Sequence, residues 1–193
     1  MTNGKEYEPR QEFNNFGDVN LGIEYQFKRL GTWAFSGTLT LGIPSGSASG
    51  GLDGSYQTGD GEFNQLLQLN LGKSYAIGSQ DFYFKTYVGF NNRTQGFSDE
   101  VRLYGETGTQ LFQSKILILS RLQWIRPLYN GILDASNANG AIFANNIESF
   151  VLGGELAWSI QPKWGFSLGF TTPIYGKVIY NASSFSGGAF LNF

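Results

Sequence analysis

The chain has no histidine and no cysteine, a single methionine, five prolines and only 15% charged residues. Each shortage closes a route. Without His or Cys there is no Ser-His-Asp or Cys-His nucleophile pair, no imidazole general base, no thiolate or imidazole metal site and no disulfide. The charged share lies well below the roughly 25% of an ordinary soluble domain. Thirteen Lys+Arg against 15 Asp+Glu give a net charge of −2, without the basic face that nucleic-acid binding demands. No run of 18 apolar residues exists, so no transmembrane helix is expected. The opening residues MTNGKEYEPRQEF lack the apolar stretch of a signal peptide. What the chain has instead is 27 glycines and 16% aromatic residues in a length of 193. That length suits one domain.

Strict alternation is the dominant pattern. Val19, Leu21, Ile23, Tyr25 and Phe27 share one face, with Asn20, Gly22, Glu24, Gln26 and Lys28 on the other. The same period of two recurs over 32–43, 62–72, 82–91, 101–111, 116–124, 150–160, 164–174 and 185–193. No charged residue falls on the apolar face of any of these runs. Such runs are half-buried antiparallel strands. The expected class is all-β, with nine strands.

Alternation alone does not separate a membrane barrel from a soluble sandwich or calyx. Three further features favour the barrel. Connections alternate between short (28–32, 73–81, 112–115, 161–163) and long (44–61, 92–99, 126–147, 175–184), the asymmetry of outer-membrane barrels. Aromatics gather at the ends of the apolar face. Phe27, Trp33, Trp158, Trp164 and Phe193 fall at one level, and Phe63, Phe90, Trp124, Phe150 and Phe185 at the other. They form two girdles of the interfacial kind. The last residue, Phe193, stands at steps of two behind Phe185, Gly187, Ala189 and Leu191. This resembles the C-terminal aromatic signature that the barrel-assembly machinery of bacteria recognises. The expectation is therefore an antiparallel transmembrane up-and-down β-barrel in a bacterial outer membrane, with lipid as its outer partner. Residues 18–193 form the barrel and 1–17 an extracellular, loop-like segment. Bacterial single-chain barrels have even strand numbers, so nine visible strands point to a barrel truncated at its N-terminus. A tenth strand over 7–13 would contain Pro9, which suits only an edge.

Several segments carry a family resemblance: Phe16-Gly17-Asp18 with Leu21-Gly22-Ile23, Leu41-Gly42-Ile43-Pro44-Ser45-Gly46, Gln57-Thr58-Gly59-Asp60-Gly61-Glu62-Phe63-Asn64, Val88-Gly89-Phe90-Asn91-Asn92-Arg93, and Gly96-Phe97-Ser98-Asp99-Glu100. Together they resemble the outer-membrane transporters grouped with the MetA-pathway phenol-degradation family. The likeness is carried by residues 16–111 and, beyond them, by strand pattern. It implies a longer barrel of about twelve strands, a cleaved signal and a transport role.

In such a barrel, function would fall to the inward polar face. The lumen-lining candidates are Glu24, Glu62, Asn64, Gln68, Lys85, Tyr87, Arg102, Tyr104, Glu106, Arg121, Gln123 and Glu155, with Lys28 and Tyr83 on the same parity. Opposite charges in near balance suggest cross-strand pairs. These either satisfy one another in a plugged interior or line a path for a small-molecule substrate. Glu106 and Glu155 are the candidates for acid/base work, but nothing in the sequence places them in a pocket, and no enzyme or cofactor is expected. The Gly-rich 44–61 stretch lacks the Gly-Lys-Ser/Thr ending of a phosphate loop. Asp53 and Asp60 among glycines hint at calcium without a complete ligand pattern. Two functions stay open: a passive transporter or channel with a charged lumen, or an anchoring or surface-recognition barrel acting through the loops 44–61 and 126–147.

Overall fold

In the computed structural model, residues 14–50, 56–134 and 143–191 are described. Each alternating run becomes a strand: β1 (Val19–Leu30), β2 (Trp33–Ile43), β3 (Asn64–Ile77), β4 (Gln80–Arg93), β5 (Glu100–Leu111), β6 (Ile116–Pro127), β7 (Glu148–Gln161), β8 (Trp164–Lys177) and β9 (Ser184–Leu191). They form one sheet in sequence order, every neighbouring pair antiparallel. The described residues contain no α-helix.

One end of the sheet carries tight turns, at 31–32, 78–79, 112–115 and 162–163. Gly31 and Gly78 open the first two at φ 58° and 62°. Positive φ at the first central residue alone is the type II′ arrangement, which favours glycine there. The other end carries the connections 44–63, 94–99, 128–147 and 178–183. The short–long alternation expected from the sequence is thus present.

Within the described residues the sheet is not closed into a barrel; closure is expected only of a longer chain with further strands. Among the described residues β1 pairs with β2 alone and β9 with β8 alone, which leaves two edges. With nine strands in up-and-down order, β1 and β9 run in the same direction, so joining them would make a parallel seam in an antiparallel sheet.

Burial is inverted relative to a water-soluble sheet. Large apolar side chains on one face are exposed, including Ile23 (71%), Leu67 and Leu69 (60%), Leu156, Trp158 and Leu168. The buried side chains are mostly polar or charged: Ser36, Glu62, Asn91, Glu100 and Glu106, with Leu119 and Ala144 the buried hydrophobics. The opposite faces of a strand see opposite surroundings. The polar face is the enclosed one.

Three bulges refine the alternation. The register shifts between Gln26 and Lys28, between Phe150 and Val151, and between Ser159 and Gln161. The first pairs Lys28 with Phe35, an apolar-face residue, and so takes Lys28 off the face of Glu24, where simple alternation puts it. An extra residue in one strand reverses parity beyond it.

Candidate functional site

The register sets the polar-face residues in cross-strand rows. One row runs Gln26, Ser36, Asn70, Tyr87, Tyr104 and Gln123; the next runs Lys85, Glu106 and Arg121. Glu24, Thr38, Gln68 and Arg102 lie one row nearer the long loops, with Gly89 bridging the last two. Of the expected polar-face residues that sit within strands, all but Lys28 therefore share one face.

Glu106 is the hub. Its Oε1 accepts from the Tyr83 hydroxyl at 2.9 Å and pairs with Lys85 Nζ at 3.1 Å. Its Oε2 accepts from the Tyr104 hydroxyl at 2.6 Å and from Arg121 Nε at 2.7 Å. Arg121 reaches on to Glu155 Oε2 at 2.8 Å. Glu106 is only 5% exposed. Four donors use the carboxylate's accepting sites, so Glu106 is a structural tie and has no free lone pair for proton transfer.

Beside it lies a groove of about 510 Å³. Its floor holds Ser36 and Asn70, which both bond Glu24, and its wall is the Tyr87–Tyr104 pair, stacked at 5.4 Å. Gln68 and Lys85 also line it.

A second cluster, at the long-loop end, was not legible from parity. Arg93, 7% exposed at its side chain, pairs with three carboxylates: Glu62 through Nε, Glu100 at 2.9 Å and Asp60 at 3.1 Å. Arg102 holds the second oxygen of Glu100 at 2.6 Å. Glu62 also accepts the Thr94 amide at 2.9 Å. Asp18 receives the amides of Gly46 and Asp60 at 2.9 and 3.2 Å. A Cβ at Gly59 would come within 2.3 Å of that Asp18 carboxylate, so a larger residue there would push the carboxylate away from the two amides. Glu62 and Asn64 stand at this end of the polar face: Glu62 precedes β3 and Asn64 is its first residue.

A third loop joins the cap. Ser98 N donates to Asn145 Oδ1 at 2.8 Å, and Asn130 Nδ2 donates to Asp99 Oδ2 at 2.7 Å. Between the loops lies a cavity of about 480 Å³ bordered by Gln57, Asp60, Phe97, Leu133 and Asn145. Asp60 thus serves an ion pair and loop hydrogen bonds. Among the described residues no group of three carboxylates is arranged to hold a metal; Asp53 lies outside them.

Burial pushes the carboxyls of Asp60 and Glu62 above their ordinary range, with the Arg93 charge opposing. The folded cluster therefore binds protons more tightly than the unfolded chain. The stability this contributes is complete below the ordinary carboxylate range and is lost as pH rises through the raised values. Amide exchange at Thr94, corrected for intrinsic rate, is expected to be slower at about pH 5 than at pH 7. A Glu62→Gln variant should flatten that dependence; an unchanged slope would assign it to other groups.

Of the girdle residues, Trp33, Trp158 and Trp164 stand at the short-turn end, and Trp124 pairs with Phe150 toward the long-loop end. Trp164 meets Phe166 edge-on at 5.5 Å, and Lys73 Nζ sits 4.5 Å from the centre of the Trp33 ring. Phe193 lies outside the described residues. Comparisons with models of protein families, with characterised proteins and with solved structures found no match to this chain.

Proposed function

We propose that this chain forms wall of an outer-membrane β-barrel that conducts small polar solutes past its charged polar face. The observation that carries the reading is the inverted burial: a continuous apolar face stands exposed while carboxylates and amides are enclosed. In water an exposed apolar area of this extent is a liability; against lipid it is the favoured surface. The edges left by β1 and β9 require further strands for antiparallel closure, because open edges are not tolerated in the hydrocarbon region.

Transport draws support from the groove beside Tyr87 and Tyr104 and from the mixed charges around it. The likeness to the phenol-degradation family's transporters is part of this reading; the segments that carry it bring Asp18, Gly46, Gly59, Asp60, Glu62, Arg93 and Glu100 together at one end. A role for Phe193 in recognition by the assembly machinery belongs to the same proposal.

Planar-bilayer conductance of the protein reconstituted from detergent tests the reading. Discrete conductance steps are expected, and Arg102→Ala should shift ion preference toward cations by removing one wall cation. Silence under every salt condition would sink the channel. The loop cap held by Ser98, Asn130 and Asn145 favours a second reading, an anchoring or surface-recognition barrel acting through its loops. Silence combined with detergent-dependent solubility would select that second reading.

A further inference from the structure

The two ends of the sheet differ in charge. At the short-turn end the described residues place Lys28, Arg29, Lys73, Lys115 and Lys163 against a single carboxylate, Asp81. The long-loop end is acidic, and most of its cations are paired: Arg93 with three carboxylates, Arg102 with Glu100, and Lys177 with Glu148 at 3.2 Å, while Arg126 is exposed. The basic end has no such pairing. Lys28, Arg29, Lys115 and Lys163 are exposed, and among the described residues none of them lies in an ion pair. Lys73 instead rests on the Trp33 ring.

These cations stand at the level of Trp33, Trp158 and Trp164, and the turn carrying Lys115 is fastened to β7 by the Ser159 amide at 2.7 Å. Indole rings at the edge of an apolar band settle at the headgroup level, and long cationic side chains beside them extend to headgroup phosphates. Exposed, uncompensated cations at that level attract anionic lipid. Resting on the membrane reading above, we propose that the short-turn end is a binding surface for anionic phospholipid headgroups. It seats the sheet in the leaflet on that side and fixes its direction across the bilayer.

Tryptophan quenching by brominated lipids tests this on the full chain in vesicles. A Trp124→Phe background confines the signal to the short-turn end. Brominated phosphatidylglycerol is expected to bind there about fivefold more strongly than brominated phosphatidylcholine, the equivalent of a single cation–headgroup contact. That preference should fall toward unity at about 0.5 M salt and in the variant Lys28→Gln/Arg29→Gln/Lys163→Gln. Equal quenching by both lipids at low salt, or a preference the triple variant leaves unchanged, overturns the proposal and leaves the membrane reading standing. No quenching by either lipid overturns both.

Discussion

Replacing Arg93 with methionine is expected to release the loop cap, with a loss of about 3 kcal/mol or more in the stability of that end. The substitution keeps the aliphatic bulk over the Phe97 ring, 4.3 Å from the guanidinium carbon, and removes the charge. Asp60, Glu62 and Glu100 would then face one another without their common counter-charge, and Glu62 and Glu100 are nearly inaccessible to water, at 1% and 3% exposed. Taking one partner from a buried pair costs more than the pair contributes, because the remaining charge stays desolvated. Amide exchange reads this locally: Thr94, bonded to Glu62, and Asp60, bonded to Asp18, should exchange roughly a hundredfold faster. Arg93→Lys should fall between, since one ammonium cannot serve three carboxylates in the guanidinium's fixed directions. Unchanged protection in the methionine variant would show that the ion pairs do not hold the loops.

The second large effect is expected at Glu106. Glu106→Gln preserves shape but leaves Lys85 without its counter-charge and costs the phenols of Tyr83 and Tyr104 a charged acceptor. Lys85 and Arg121 are 55% and 41% exposed at their side chains, so water compensates part of the loss. The expected destabilisation is about 2 kcal/mol by denaturant titration in micelles. The variant Glu106→Gln/Lys85→Gln should recover part of it, because the two sites are coupled. In bilayers the single variant should move ion preference toward anions. Additive losses in the double variant would mean that the pair does not interact.

The strand order and the two faces were legible because alternation is a local property. Residues such as Leu67, Gln68 and Leu69 declare their sides two positions at a time. The bulges were not legible, since an extra residue at Phe27 or Ile160 becomes visible only against the partner strand. That is why Lys28 lies off its expected face. The Glu106 row followed from parity as a possibility and from register as a fact, with Lys85, Glu106 and Arg121 directly opposed. The Arg93 cluster escaped because its charges come from three separate segments, 57–64, 88–93 and 96–100. Its signal was present all the same: Asp60, Glu62, Arg93 and Glu100 each stand inside a segment that carries the family resemblance, and so does Gly59. An odd strand number leaves β1 and β9 parallel at the edges of an open sheet, which is why closure is expected only with further strands.

The most direct test of the central claim is which face of β3 meets lipid. The chain has no cysteine, so a spin label on a single introduced cysteine reports one position alone. Labels at Leu67, Leu69 and Leu71 in vesicles should be relaxed chiefly by oxygen. Those at Leu66, Gln68 and Asn70 should be relaxed chiefly by a water-soluble nickel complex, and the two profiles should alternate out of phase with a period of two. Nickel access at Leu67 and Leu69 equal to that at Gln68, or no alternation, would contradict a lipid-facing apolar surface.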